Sequence, residues 1–495
     1  MYAKFKTAAF AMGIALALLS VSSCTNLEEE TFNVIPADQF GQTQAQKDAL
    51  IGPLYGGLGD YFDRFNGLNT VTDEQVVPTR GGDWKDGDAW RRLHEHTWSA
   101  TADNGQFNGL WTWIYNNITR INRAIDGNKD NAVIVAELRA LRAFYHYLAL
   151  DNFGNVIIAS GSVEAGTAAD QKTRAEVYAF VEKELLDVYP KISKTVGGGS
   201  YGRINKYVVD MVLAKLYLNA QVYTGTPQWA KTVQYCDSII SSNKFSLPDD
   251  FLSNFSTTNQ LSPESILSTP FDKSKRGGMN MQMRTLHYKS QLTYNLPNAP
   301  WNGYCTLAEF YDSFDTQDKR KKMWLIGQQF AADGTPLKDD DVPMIIKKEI
   351  PAFEMPAGPA GRLAGARSVK YEIQKSNAGV DQDNDFVIYR LGDAYLMRGE
   401  ANFRLNKTSQ ALADINKLRE RAGVPSFTSL TLNDILAERG RELAWEYHRR
   451  QDLIRFDQFT KAWTFKGVSA KTRELYPIPA DQLALNPKLK QNPGY

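Results

Sequence analysis

The chain is predicted to be mostly helical, a scaffold of paired helices packed against an irregular, loop-rich half that carries short strands. Three observations support this. Apolar residues recur at helical spacing in successive segments, Leu110, Trp113, Ile114, Ile118 and Ile121 in one and Leu138, Leu141, Tyr145 and Leu148 in another. Two helical hairpins read alike, with Leu213-Ala-Lys-Leu-Tyr-Leu218 in the first and Leu391-Gly-Asp-Ala-Tyr-Leu396 in the second. From Leu247 to Val380 the periodicity dissolves into short runs rich in Pro, Gly, Ser and Asn.

Taken in order, Met1–Ser23 has basic Lys4 and Lys6, an apolar run Ala8–Val21 and small residues after it. This is a secretory leader, too short and wrongly flanked for a membrane span. Val21-Ser22-Ser23 before Cys24 resembles a bacterial lipobox, with valine in place of the usual leucine, and Glu28-Glu29-Glu30 adds an acidic cluster. Gln46–Phe62 reads as a helix weakened by Pro53 and Gly56-Gly57, and Asn66–Asn104 as a long ordered loop. Helices follow at Phe107–Ile125, Val133–Phe153 and Arg174–Tyr189. Ile204–Tyr223 with Pro227–Ser241, and Asp385–Leu405 with Thr408–Ala422, are the two similar hairpins. Small residues where helices cross, as at Ala230 and Ala411, suggest tetratricopeptide-like repeats that stack to share one core. Short strands are expected in Arg276–Ser290 and Pro343–Tyr371.

Leu432–Phe456 reads as one long helix with an apolar stripe of Leu432, Ile435, Leu436, Leu443, Tyr447 and Ile454. Charges crowd beside the stripe, and Glu446 with Arg450 and Asp452 with Arg449 and Arg455 have pairing distances along the helix. A solvated face would not place Trp445 on the polar side, so a buried network of paired charges is expected. The arginines keep the acids ionised, which argues against a catalytic carboxylate pair here.

Composition narrows function. Among 495 residues, 43% are hydrophobic and 23% charged, ordinary for a globular chain, but 12% are aromatic, including 10 Trp and 23 Tyr. That surplus suits an aromatic binding surface. Net charge is +1, and removing Lys4 and Lys6 leaves 55 basic against 56 acidic residues, so no basic field exists to attract nucleic acid. Cys24, Cys236 and Cys305 make no disulfide framework; Cys236, in a helical run, is a small core residue.

No Gly-rich phosphate cradle follows a predicted strand, and no Gly-x-Ser-x-Gly elbow occurs. His94-Glu95-His96 could put two rings on one side of an extended segment, but without a third ligand they read as polar loop residues beside Trp98. Neither a metal nor another cofactor is assigned. A glycosidase pair among 56 acids stays open, since spatial separation alone identifies it. Saccharide binding needs flat rings for apolar C–H faces and planar polar groups for hydroxyls. The loop from Asp73 to Trp90 has that mixture, with Gly81, Gly82 and Gly87 holding Trp84 on a turn. Arg80, Asp83 and Trp84 are the first candidate contacts, and Trp301, Asn302 and Tyr304 in Pro297–Tyr304 the second. Loop anchoring by packing remains the alternative for Trp84 and Trp301, while Trp90, Trp98, Trp111 and Trp113 read as core or hairpin packing.

Glu438-Arg-Gly-Arg-Glu-Leu-Ala-Trp-Glu-Tyr-His-Arg-Arg-Gln-Asp-Leu-Ile-Arg-Phe456 resembles the C-terminal signature of the SusD/RagB nutrient-binding lipoproteins of Bacteroidetes outer membranes. Ala136–Gly154, Leu307–Arg320, Asn416–Gly423 and Gln491–Tyr495 are similar to that family in the same order. The resemblance implies cleavage before Cys24 and its acylation, a lipidated tether over 24–45, and one SusD-like domain over 46–495. Within that domain the helical scaffold is expected at about 105–243 and 385–460, with ligand-binding loops at about 66–104 and 247–380. It also implies a non-enzymatic surface protein that captures an oligosaccharide and passes it to a SusC-like TonB-dependent transporter. Trp301–Tyr304 lies where the family often places binding aromatics. Peptide capture, as in the RagB branch, a surface glycosidase and a structural plug for the transporter are the alternatives.

Overall fold

A computed structural model describes residues 43–161, 168–375 and 379–495. The leader, Cys24 and most of the tether lie outside the described residues. The chain divides into two compact units, 1–50 and 51–495. The second holds α1 from Ile51 onward (Gln44–Leu58), α2 (Tyr61–Leu68), β1 (Thr79–Trp84), α3 (Ala89–Glu95), α4 (Asn104–Asp126), α5 (Ala132–Phe153), α6 (Arg174–Val188), α7 (Lys206–Leu218) and α8 (Trp229–Ile240). After it come β2 (Ser265–Thr269), β3 (Glu354–Met355), β4 (Phe386–Arg390), α9 (Leu391–Arg404), α10 (Thr408–Ala422), α11 (Leu432–Leu443) and α12 (Arg449–Arg455). Among the described residues no helix is long and apolar enough to cross a membrane.

The helical half is a relay of neighbours: α4 packs on α5, α5 on α6, α7 on α8, α8 on α9, and α9 on α10 and α11. Residues 241–390 interrupt the relay in sequence but not in space, since α8 meets α9 directly. Gly399 allows the close crossing with α10, where an added Cβ would lie 3.0 Å from Ile415 Cδ1. Asn205 caps α7 by accepting from Tyr207 and Val208, Thr173 and Glu176 form a capping box on α6, and Gly423 closes α10 at φ +75°.

The predicted elements are corrected in four places. The hairpin predicted from Asp385 begins with β4, which pairs antiparallel with β2, and becomes helical only at Leu391. All five residues of β4 are buried, and the apolar run Phe386-Val-Ile-Tyr389 carries no alternation that would distinguish a strand from a helix. The loop Asn66–Asn104 contains β1 and α3. Arg276–Ser290 holds the short helix Met281–Thr285 instead of strands, whereas Pro343–Tyr371 does carry them. The long helix Leu432–Phe456 breaks at 444–448, where Trp445 and Tyr447 take φ of 60° and 65°. The break turns the Trp445 ring fully inward beside Trp324, with its Nε1 donating to Glu74 O at 2.9 Å. Tertiary anchoring overrides helical period there, against a backbone cost of about 1–3 kcal/mol.

The expected charge network is present and buried, but its partners are distant in sequence. Glu442 accepts from Arg390 and Arg320 at 2.6 and 2.9 Å and from Arg421. Glu438 accepts from Arg320, Arg419 and Arg441 at 2.7, 2.8 and 2.6 Å. Glu446 pairs with Lys370 and Arg390 rather than with Arg450. Arg449 reaches Asp73 and Arg450 reaches Asp151, while Asp452 binds Arg439 and Arg455. Arg320 and Lys370 come from the irregular half, so these bonds tie it to α11 and the turn after it. The C-terminal segment is also tied in: Trp98 Nε1 donates to the Tyr495 hydroxyl at 2.7 Å, and that hydroxyl donates to Leu475 O.

Candidate functional site

The site is built where β1 ends. β1 pairs in parallel with β3, Thr79 opposite Glu354 and Arg80 opposite Met355, which carries the following residues out to the surface. Gly81 sits at φ +71°, and a Cβ there would lie 2.7 Å from Ala357 Cα, so the strand leaves the sheet only through glycine. Trp84 then takes φ 62°, a strained backbone for a bulky residue. Its indole Nε1 donates to Trp301 O at 2.7 Å. The ring lies directly on Gly303, where a Cβ would fall 2.4 Å from Cε2. The two loops singled out by sequence are thus one structure, joined through Trp84.

Of the six candidate contacts, three are outward and three are not. Asp83 is exposed and accepts from the Tyr288 hydroxyl; Trp84 and Trp301 are half-buried. Arg80, Asn302 and Tyr304 are buried, Arg80 with its edge in the lining of the cleft described below. Arg80 donates to the carbonyls of Gly361, Gly303 and Ala364 at 3.1, 2.7 and 3.0 Å and reaches Cys305 Sγ at 3.3 Å. Asn302 donates to Arg362 O and accepts from Arg367, at 3.1 and 2.7 Å. The Tyr304 ring supports Trp84 and Trp90 edge-on at 5.3 and 5.5 Å. These side chains hold the loops from beneath. Replacing Arg80 with Met should therefore cost about 2–3 kcal/mol by chemical denaturation, because several buried carbonyls lose their donor. An unchanged unfolding midpoint would remove its bracing role.

Trp90, read as core, is half-buried in α3 and tilts against Trp84 at 5.9 Å, its Nε1 donating to Asp86 at 2.6 Å. The signal was the four-residue spacing of Asp86 and Trp90 across Gly87. Trp98, Trp111 and Trp113 are buried as read. Half-exposed Trp84 and Trp90 pack on each other over Tyr304, while the Trp301 ring lies near the Arg284 guanidinium at 5.9 Å. Next to Trp84 is a cleft of about 350 Å³ whose lining includes Asp83, Tyr288, Lys289, Asp339, Asp340 and Arg362. Burial and then Asp83 push the Tyr288 phenol up to about 12, so it stays a hydrogen-bond donor. Burial raises the Asp339 carboxyl, but the Arg362 hydrogen bond and His287 outweigh it and hold it below the ordinary range.

His94 and His96 are packing residues. Burial takes their imidazoles down to about 4 and about 2, and His96 Nε2 lies 2.8 Å from Val71 O while its ring stacks near Phe459. Among the described residues no group of three or more His, Cys, Asp or Glu could hold a metal. Cys236 and Cys305 are buried free thiols.

Comparison with known proteins adds four findings. The SusD family model matches residues 363–495. The starch-binding protein SusD of Bacteroides thetaiotaomicron is 25% identical, over 90% of this chain and 88% of that protein. Among solved structures, a laminarin-binding SusD-like protein superposes with a TM-score of 0.75 at 23% identity, covering 92% of this chain and all of that one. A surface glycan-binding protein A from Bacteroides thetaiotaomicron, in complex with laminarihexaose, gives 0.72 at 20% identity over 91% and 99%.

Proposed function

We propose, for a chain that is SusD/RagB-like across 363–495 and has the SusD-superfamily fold, a role as a surface protein that binds a glycan without breaking it. The observation that supports this best is the pair of half-exposed rings Trp84 and Trp90 next to Asp83, which lines the cleft, with the Trp301 backbone tied to Trp84. Indole faces offer area to sugar C–H faces at little entropic cost, and Asp83 with the Tyr288 oxygen, whose one proton goes to Asp83, offers acceptors for hydroxyls. The known relatives named above bind starch or laminarin, which favours the same ligand class here.

In this reading Met1–Ser23 is removed, Cys24 carries the lipid, and residues 46–495 act as one domain at the outer face of the outer membrane. The bound oligosaccharide passes to a SusC-like TonB-dependent transporter. Calorimetric titration with oligosaccharides, beside Trp84→Ala and Trp301→Ala, tests the binding step. Each variant is expected to weaken affinity roughly 10- to 100-fold, as for a buried aromatic anchor. Binding by both variants equal to wild type would remove the site, and product release from polysaccharide would replace capture with hydrolysis.

A further inference from the structure

We infer that Gly303 is a positioning residue of the proposed saccharide site: the absence of a side chain there seats the Trp84 indole at the angle it offers to a sugar ring. This rests on the capture reading above. A Cβ on Gly303 would fall 2.4, 2.5 and 2.8 Å from Cε2, Cζ2 and Cδ2 of the indole, and these are its three nearest neighbours. The indole is a rigid bicycle and cannot bend aside as the end of a flexible chain can. It could clear a methyl group only by turning as a whole. That would break the 2.7 Å bond from Nε1 to Trp301 O and disturb its packing on Trp90 and Tyr304.

The backbone does not require glycine here. Gly81, at φ +71°, lies in the left-handed region, whereas Gly303 does not. Its N–H donates to Arg284 O at 2.9 Å and its carbonyl accepts from Arg80 at 2.7 Å, and alanine would keep both bonds. The seat is also fixed in advance of any ligand. The N–H groups of Trp301, Asn302 and Tyr304 donate to Met283 O, Leu286 O and Arg284 O at 2.5, 3.0 and 2.7 Å. A ring held in this way loses little freedom when a sugar stacks on it, which is how preorganisation raises affinity.

The test is calorimetry with laminarihexaose, cellohexaose and maltohexaose on the wild type, Gly303→Ala, Trp84→Ala and the double variant. Near-ultraviolet circular dichroism and denaturant unfolding of each accompany it. For the hexasaccharide that binds the wild type best, Gly303→Ala is expected to weaken affinity at least roughly tenfold. In the Trp84→Ala background, where no ring is left to displace, the same substitution should add no loss of affinity. The dichroism change and any fall in the unfolding midpoint should vanish there too. A role confined to the loop's own packing would act equally in both backgrounds, and that result would overturn the inference. So would Gly303→Ala binding as the wild type does while Trp84→Ala loses affinity, an outcome that leaves capture intact. Should no hexasaccharide bind, or should Trp84→Ala bind as the wild type does, the capture site fails and the inference with it.

Discussion

Replacing Glu442 with Ala is expected to destabilise the protein by about 3–5 kcal/mol or to prevent folding altogether. Glu442 is fully buried and is the shared acceptor for Arg390, Arg320 and Arg421, which come from β4, the irregular half and α10. Its removal leaves guanidinium groups crowded in the interior with one negative charge fewer, and the remaining acids Glu438, Glu446 and Glu264 are already committed. The penalty comes from uncompensated buried charge rather than from lost attraction. Glu442→Gln keeps the shape but not the charge, so it should lose most of the same stability. Denaturant unfolding of both variants decides the matter: a midpoint for Glu442→Gln within error of wild type would show that packing, not charge balance, holds this junction.

Acid should unfold the protein over a defined range, between pH about 4.5 and 2. Burial raises the Glu438 carboxyl, yet Arg320, Arg441 and Arg419 outweigh it and bring it to about 2; Arg439 and Arg455 likewise bring Asp452 to about 2 against the effect of burial. Burial also raises Glu442, Glu446 and Glu400, and their arginine and lysine partners still hold them below the ordinary range. Because the folded values are depressed, the unfolded chain takes up protons first. The stability these groups contribute is complete above pH about 4.5 and is lost as pH falls toward 2, by up to about 1.4 kcal/mol per group per pH unit. Glu74 has the opposite sign: burial pushes it up to about 8, so its contribution improves as pH drops from 8 toward 4.5 and is constant below. Tryptophan fluorescence across denaturant titrations should therefore show stability rising from pH 8 to 5 and collapsing below 4.5. A protein equally stable at pH 7 and 2.5 would contradict the network's ionisation.

The helical half was legible because one apolar face repeats. Leu110, Ile114, Ile118 and Ile121 are buried as their spacing requires, and the likeness of Leu213–Leu218 to Leu391–Leu396 located two helices of the same stack. The charge network could be anticipated from Trp445 sitting among arginines, but not its pairing. Glu446 was matched with Arg450 four residues on, whereas its partners Lys370 and Arg390 are 76 and 56 residues away. β4 was missed because a strand buried on both faces has no alternation to betray it. At the site, composition identified the two loops but could not assign inward and outward roles. Arg80 and Asp83 look equally suited to a hydroxyl, and only the carbonyls of Gly303, Gly361 and Ala364, distant in sequence, reveal that Arg80 is already saturated.

The Trp98–Tyr495 hydrogen bond spans 397 residues. A chain emerging from its N-terminal end cannot close that contact until residue 495 is free, so the pocket of aromatic rings around Trp98 stays incomplete throughout elongation. Such remote closure slows the final stage of folding.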